Sequence, residues 1–232
     1  DKIMKQESSK IKIDTLIISD SHLGDSTTRC RKLLGVIRKY EFRRLILNGD
    51  IVNGLHFQRF NSEHWDILSE FRKLSKQSEV IWVHGNHDAA ANILSRLLGV
   101  KVVNKYIWEE NGKKFLAIHG HQFDRFLHNN MIISYVAFVT YRFLKRVDKT
   151  EFLVNLIRNR SKTWRRNSLD VARGALRLAQ MLNCDYVFCG HTHQFYQSKK
   201  RGTEYFNSGC WVESPCGYIT ITANKVVVNQ LD

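Results

Sequence analysis

The chain of 232 residues is long enough to bury one sizeable hydrophobic core, and its share of 43% hydrophobic and 25% charged residues is that of an ordinary globular domain. Its formal net charge of +14 favours anionic partners such as phosphates, nucleic acid or acidic membrane surfaces, without choosing among them. The five cysteines are odd in number and lack C-x-x-C spacing, which argues against a zinc knuckle and a disulfide framework and suits a reducing cytoplasm.

The sequence predicts no secretion signal and no transmembrane segment. Residues 1–14 carry charges throughout and lack the apolar stretch of a signal peptide. The longest apolar run, over residues 131–144, is shorter than the ~20 residues that a spanning helix needs. We therefore expect a cytoplasmic protein.

Five short apolar runs along the chain read as buried β-strands, and each ends in a polar cluster. Helical periodicity separates the early runs, at residues 30–40 and 63–77. Strand, helix and strand in alternation predict an α/β sheet, in which ligand sites form beyond the carboxyl ends of the strands. The polar clusters should therefore converge in space. The runs with their clusters cover residues 15–25, 43–50, 79–88, 114–124 and 185–193.

After residue 124 the periodicity turns helical for some sixty residues. The C-terminal segments 203–213 and 217–230 alternate like antiparallel strands around a turn at 214–217. We expect one domain over residues 1–232, with a helical insertion over 125–183 that forms a cap.

Seven polar side chains at the predicted strand ends form one set of carboxylate, imidazole and carboxamide ligands without a thiolate. Such ligands suit hard to borderline divalent metals, namely Mn, Fe or Zn. They are too many for one ion, and an aspartate that bridges would suit two metals ~3.5–4 Å apart that clamp a phosphoryl group. The candidate metal ligands are Asp20, His22, Asp50, Asn86, His119, His191 and His193.

Each motif alone has an ordinary structural explanation. Asp20-x-His22 after a strand is more often a turn or a helix cap than a metal site, and Gly49-Asp50 is commonplace. The joint order D-x-H, G-D, G-N-H-D, H-G and G-H-x-H, each at the end of a predicted strand, is hard to obtain by coincidence. The set as a whole therefore predicts a metal centre.

This ordered set, here "DSH", "NGD", "GNHD", "HGH" and "GHTH", resembles that of the calcineurin-like metallophosphoesterases over about residues 15–220. The resemblance implies a sandwich of two mixed β-sheets flanked by helices. It also implies two divalent metal ions, with Mn favoured over Zn or Fe. Position by position, it puts Asp20, His22 and His193 on one metal, Asn86, His119 and His191 on the other, and Asp50 between them.

The same resemblance assigns two catalytic residues. His87 would be the general acid or an imidazole that faces the phosphate, and Asp88 would orient it. The resemblance thus implies a metal-dependent phosphohydrolase.

The insertion between His119 and His191, with "HGHQFD" and "NSGCWVES", resembles more specifically the UDP-2,3-diacylglucosamine diphosphatase branch. The enzymes of that branch belong to lipid A synthesis. This implies hydrolysis of a phosphoester or diphosphate bond, with UDP-2,3-diacylglucosamine or a related nucleotide-lipid as the anionic substrate.

The charge of the insertion bears on a membrane partner. Residues 142–177 hold eleven Lys or Arg against three acids, a local balance of +8, and follow the apolar run 131–144. Apolar helices beside basic ones are typical of enzymes that lie on anionic membranes, so we expect peripheral contact with the inner face of the membrane. The alternative is a lid helix packed on the core with a solvated basic face.

Two other functions stay open. A nuclease or phosphodiesterase acting on DNA or nucleotides is favoured by the positive charge, but the sequence has no recognisable nucleic-acid-binding module, so nucleic acid is not the favoured partner. A non-catalytic scaffold is the third class, and the full set of ligands argues against it. The sequence leaves the oligomeric state open.

Overall fold

The computed structural model describes residues 10–54, 56–124 and 162–232. Its core is a sandwich of two mixed β-sheets with helices on the outer faces, as the family resemblance implied. The inner faces of the two sheets pack together through fully buried side chains, among them Ile17, Ile46 and Val83 from one sheet and Phe115 and Phe188 from the other.

The first sheet has six strands in the order β11-β10-β1-β2-β3-β4. Strands β1 to β4 run parallel, and β10 and β11 are antiparallel to their neighbours. The parallel connections need crossovers, which helices α1, α2 and α3 supply on the outer face. The elements are β1 (Ile11–Ile18), α1 (Cys30–Lys39), β2 (Tyr40–Asn48), α2 (Ser62–Leu74), β3 (Glu79–Val83), α3 (Ala91–Leu98), β4 (Lys101–Val103), β10 (Cys216–Thr222) and β11 (Lys225–Leu231).

The second sheet has five strands in the order β5-β6-β7-β9-β8. Helix α4 covers its outer face, and the small side chains of Ala172, Ala175 and Ala179 let it approach the sheet closely. Short 3-10 helices at Phe57–Arg59 and His121–Phe123 lie in the loops after β2 and β6. The elements are β5 (Lys105–Glu110), β6 (Lys113–Ile118), α4 (Lys162–Met181), β7 (Tyr186–Cys189), β8 (Phe195–Lys200) and β9 (Thr203–Ser208).

The C-terminal strands differ from the expected arrangement. β9 lies in the second sheet and β10 in the first, so the expected turn at 214–217 instead covers the end of a crossover between sheets and the start of β10. The antiparallel hairpin of this region is instead β10 with β11, which turns at residues 223 and 224. Alternating polarity identified the strands but could not say which sheet each would join.

Much of the predicted insertion lies outside the described residues. This holds for residues 125–161, including the apolar run 131–144, whereas α4 confirms helix over residues 162–181. Within the described part of the chain, no helix combines the length and the apolar character needed to cross a membrane. The cap remains a prediction.

Candidate metal centre

The polar clusters that follow β1, β2, β6 and β7 meet at one end of the sandwich. The loop after β1 runs beside the loop after β2, because the backbone N–H of Asp20 donates to Gly49 and that of His22 to Asp50, at 3.0 and 2.9 Å. The loop after β7 joins them, since the backbone N–H of His191 donates to the Asp20 carboxylate at 3.0 Å. The strand order therefore brings distant parts of the chain to one place.

The side chains in these loops form two adjacent groups of potential metal ligands. In each group, one ligand atom per residue lies within 4.8 Å of the others. The groups are Asp20, His22 and His193, and Asp50, His119 and His191.

Asp50 lies between the two groups. Its Oδ2 is 3.2 Å from His119 Nε2 in one group and 3.9 Å from His22 Nε2 in the other. Its Oδ1 accepts a hydrogen bond from the backbone N–H of His87 at 2.8 Å. The carboxylate therefore lies next to a histidine of each group, and its role as a bridging ligand remains a prediction.

Five candidate ligands have a left-handed backbone, which costs non-glycine residues of order 1–3 kcal/mol each when the surroundings impose it. Such strain persists only where the rest of the fold enforces it, and it concentrates at functional sites. The residues and their φ angles are Asp20 (50°), Asp50 (53°), His22 (46°), His191 (68°) and His193 (54°).

Two glycines of the sequence motifs let these side chains approach the backbone. A Cβ at Gly49, where φ is +86°, would overlap the imidazole of His119. A Cβ at Gly190 would overlap Asp20 Oδ2 and the side chain of Ser19. The glycines of G-D and G-H-x-H are therefore required by the packing of the ligands themselves.

Burial and mutual charge shift the pKa values of the central groups. Burial alone would raise the pKa of Asp50, but His119 and His22 outweigh it and hold that pKa well below its usual range. Burial alone would lower the pKa of His119, but the charge of Asp50 raises it to about 9. For His22 burial prevails and lowers the pKa to about 4.

The residues present fit two divalent cations. His119 Nε2 is fully buried without a well-oriented hydrogen-bond partner, although Asp50 Oδ2 is nearby. His22 Nε2 and His193 Nε2 face each other at 3.1 Å, an arrangement in which at least one nitrogen carries no hydrogen. Carboxylate oxygens and lone-pair nitrogens directed at common points are what a metal ion needs.

Asn86 and His87 lie in the loop after β3. Asn86 is exposed, and His87 is partly buried with its ring 5.1 Å, centre to centre, from the ring of His22. The side chain of His87 therefore borders the first group, while its backbone binds Asp50. Metal coordination by Asn86 and catalysis by His87 remain predictions.

Asp88 ties the loops together. Its carboxylate accepts hydrogen bonds from the backbone N–H groups of Asp50, Ile51, Val52 and Gly85 and from the indole of Trp82, at 2.8 to 3.1 Å. Burial is the main reason that its pKa is raised, and the Asp50 charge adds to it. These contacts give Asp88 a structural role at the Asp50 loop, and its orienting of His87 stays a prediction.

Sequence reasoning missed three buried polar residues around the centre. Asn48, at the end of β2, donates to the carbonyls of Ile118 and Phe188 in the second sheet at 3.2 and 3.3 Å. Asp124 and Glu213 approach the two histidines of G-H-x-H. The only available signal was their position inside or beside the quoted motifs, which does not reveal a contact between distant segments.

The comparisons with known proteins agree with this geometry. The family model described as the calcineurin-like phosphoesterase superfamily domain matches residues 13–225. A solved archaeal phosphodiesterase is similar in fold with a TM-score of 0.54 and 15% identity, covering 94% of this chain and 99% of its own. A doubly substituted Vps29 from Entamoeba histolytica gives a TM-score of 0.51 at 14% identity, covering 94% and 98%. No curated protein matches the sequence.

Proposed function

Because the chain belongs to the calcineurin-like phosphoesterase superfamily, we propose that it is a dinuclear metal-dependent phosphohydrolase. The observation that carries this proposal is the position of Asp50 between two groups of ligands. A single buried carboxylate in contact with histidines of both groups suits two cations held close together. When bound, the cations would supply Lewis acidity and an activated water for attack on phosphorus.

The chain's own residues would bind the two ions and contact the substrate. Asp20, His22 and His193 would hold one ion, and Asp50 would be shared with the second. His87 borders the site from the β3 loop, where burial lowers the pKa of its ring. A neutral imidazole there can donate one N–H to a phosphoryl oxygen, and the negative charge of the substrate would favour its protonated form for proton transfer to the leaving group.

For the substrate, we propose a nucleotide-lipid diphosphate of the UDP-2,3-diacylglucosamine type. The sequence motifs that resemble that branch support this choice, and so does the basic, apolar composition of residues 131–177. The described surface adds a cleft of about 290 Å³ beside His193, lined also by Arg165, Phe195 and Pro215. A cation and an aromatic ring next to the ligands suit an anionic substrate with a flat or apolar moiety.

A hydrolysis screen with added Mn²⁺, Zn²⁺ or Fe²⁺ tests the proposal. Its substrates are a UDP-lipid diphosphate, a phosphomonoester, a cyclic nucleotide and single-stranded DNA. We expect metal-dependent hydrolysis of the lipid-linked diphosphate in preference to the others. Preferred cleavage of DNA would support the nuclease, and no hydrolysis with any metal would support a non-catalytic scaffold.

Liposome flotation tests the membrane contact separately. We expect the intact chain to float with anionic liposomes, and charge reversal at Arg158, Arg160, Arg165 and Arg166 to release it. Vesicles of neutral lipid are the control. An intact chain that stays in the soluble fraction with anionic liposomes would contradict membrane binding.

A further inference from the structure

We propose that Asp124 is a positioning residue for His191, fixing the hydrogen on Nε2 and leaving Nδ1 for a metal ion. The inference rests on the proposed metal centre and adds to it a residue outside the predicted ligands. Asp124 follows the 3-10 helix after β6 and is only 3% exposed. Its Oδ2 lies 2.8 Å from His191 Nε2, within hydrogen-bond distance.

The direction of this hydrogen bond follows from the chemistry of the two groups. An ionised carboxylate only accepts, so His191 must donate through Nε2. A neutral imidazole carries one hydrogen, which leaves Nδ1 with a free lone pair. Nδ1 is then the nitrogen that can bind a cation together with Asp50 and His119, the other members of its group.

Helix α4 orients the carboxylate. The side-chain amide of Asn167 donates to the same oxygen, Asp124 Oδ2, at 2.6 Å. Two more contacts join α4 to the G-H-x-H loop: the indole N–H of Trp164 donates to the carbonyl of Thr192 at 3.1 Å, and the Ser168 hydroxyl bonds to the Gln194 side chain at 2.9 Å. Helix α4 is therefore hydrogen-bonded to the loop that carries both histidines. The chain of hydrogen bonds from Asn167 through Asp124 to His191 connects the helix to a candidate metal ligand.

The second histidine of the motif has the opposite orientation. His193 directs Nε2 toward Asp20 and His22, while its Nδ1 lies 3.7 Å from the buried carboxylate of Glu213. Each histidine thus has one nitrogen near a buried carboxylate, Nε2 in His191 and Nδ1 in His193. Such carboxylates fix the tautomer and raise the basicity of metal-binding histidines, and losing one typically costs 10–100-fold in metal affinity or activity.

The direct test is ¹⁵N NMR of histidine-labelled protein loaded with Zn²⁺. Long-range couplings distinguish the nitrogen that carries hydrogen from the one that binds metal, and His191→Gln assigns the signals. We expect Nε2 of His191 to carry the hydrogen and Nδ1 to bind Zn²⁺. A Zn²⁺-bound Nε2 would overturn the proposal.

Substitutions separate positioning from a general structural role. We expect Asp124→Ala to lower the affinity for one of the two Zn²⁺ ions by about 10–100-fold. In this variant the His191 ring should no longer be held in one tautomer. Asp124→Asn should keep the His191 tautomer and most of the Zn²⁺ affinity. The Asn167 amide donates to the position of Asp124 Oδ2, so it favours the amide oxygen of the new asparagine there, and that oxygen can still accept from His191 Nε2. Asp170→Ala, on the same helix but paired with Arg173 at the surface, is the control and should leave both unchanged.

Three results decide between the proposals. Unchanged Zn²⁺ affinity and tautomer in Asp124→Ala would overturn the role of Asp124. If Asp124→Ala does not fold, Asp124→Asn and Asn167→Ala supply the comparison. If the wild-type chain takes up no Zn²⁺, the proposed function fails, and the spectrum of the metal-free chain still shows whether Nε2 of His191 carries the hydrogen.

Discussion

Asp50 is buried and contacts a histidine of each group of candidate ligands, so the proposed dinuclear centre depends on it. Without its charge, two cations would repel each other uncompensated. We expect Asp50→Ala to abolish hydrolysis of every substrate and to reduce metal content, measured by elemental analysis of the purified protein. Asp66→Ala on the exposed face of α2 is the matched control. Retained activity in Asp50→Ala would exclude a bridging role.

His87 should act on the substrate rather than on the metals. We expect His87→Ala to lower the turnover rate by ~10²–10⁴-fold while the metal content stays as in the wild type. The measurement is steady-state kinetics beside elemental analysis. Loss of metal in this variant would make His87 a ligand, and unchanged turnover would give it a structural role.

Gly190 and Gly35 form a matched pair of glycine substitutions. A Cβ at Gly190 would overlap Asp20 and Ser19, so Gly190→Ala should displace the Asp20 ligand and lower metal affinity. Gly35 lies exposed within α1, with open space around a Cβ. We expect Gly35→Ala to stabilise the protein by about 0.5–1 kcal/mol, because glycine is a poor helix former. Thermal unfolding and metal titration of both variants check this. A metal affinity in Gly190→Ala equal to that in Gly35→Ala would contradict the steric argument.

The convergence of most candidate ligands could be predicted from the sequence, because their motifs follow strands whose carboxyl ends meet at one end of the sandwich. The residues that hydrogen-bond to these candidate ligands could not be predicted. Asp124 meets His191 across 67 positions of the chain, and Asn167 reaches Asp124 from a helix whose register was not known beforehand. Contacts of this kind depend on how α4 packs on the second sheet, which no local pattern encodes.

Among the elements of the fold, β2 carries Asn48, which joins the two sheets beside the candidate metal centre. It is fully buried at the end of β2, and its side chain donates to the carbonyls of Ile118 and Phe188, near the ends of β6 and β7. Replacing it by leucine leaves two buried carbonyls without that donor. We expect Asn48→Leu to lower the free energy of unfolding by about 1–3 kcal/mol, measured by urea denaturation.

Asn229 offers the control for that experiment. Its side chain bonds within the β10–β11 hairpin at the sheet edge, where water can replace the lost contacts. We expect Asn229→Ala to change the free energy of unfolding by less than Asn48→Leu does. A smaller loss for Asn48→Leu would contradict the role of Asn48 as a link between sheets.

The elements themselves were predictable to different degrees. Strands β1, β2, β3, β6 and β7 were evident because each contains, toward its C-terminal end, a continuous apolar run that is buried on both faces. β4 has three residues, and β8 is a largely polar edge strand, so neither produces a strong pattern. The assignment of β9 and β10 to different sheets depends on the crossover between them, which alternating polarity does not reveal.

In the whole molecule, the loops of the two sheets converge on Asp50, and the proposed function requires that they hold two cations there. The most direct measurement is native mass spectrometry of the intact chain after exchange into Mn²⁺ or Zn²⁺. We expect two ions per chain in the wild type, with at least one lost in Asp50→Ala. A wild-type chain that takes up one ion or none, or an Asp50→Ala variant that still holds two, would contradict the dinuclear centre.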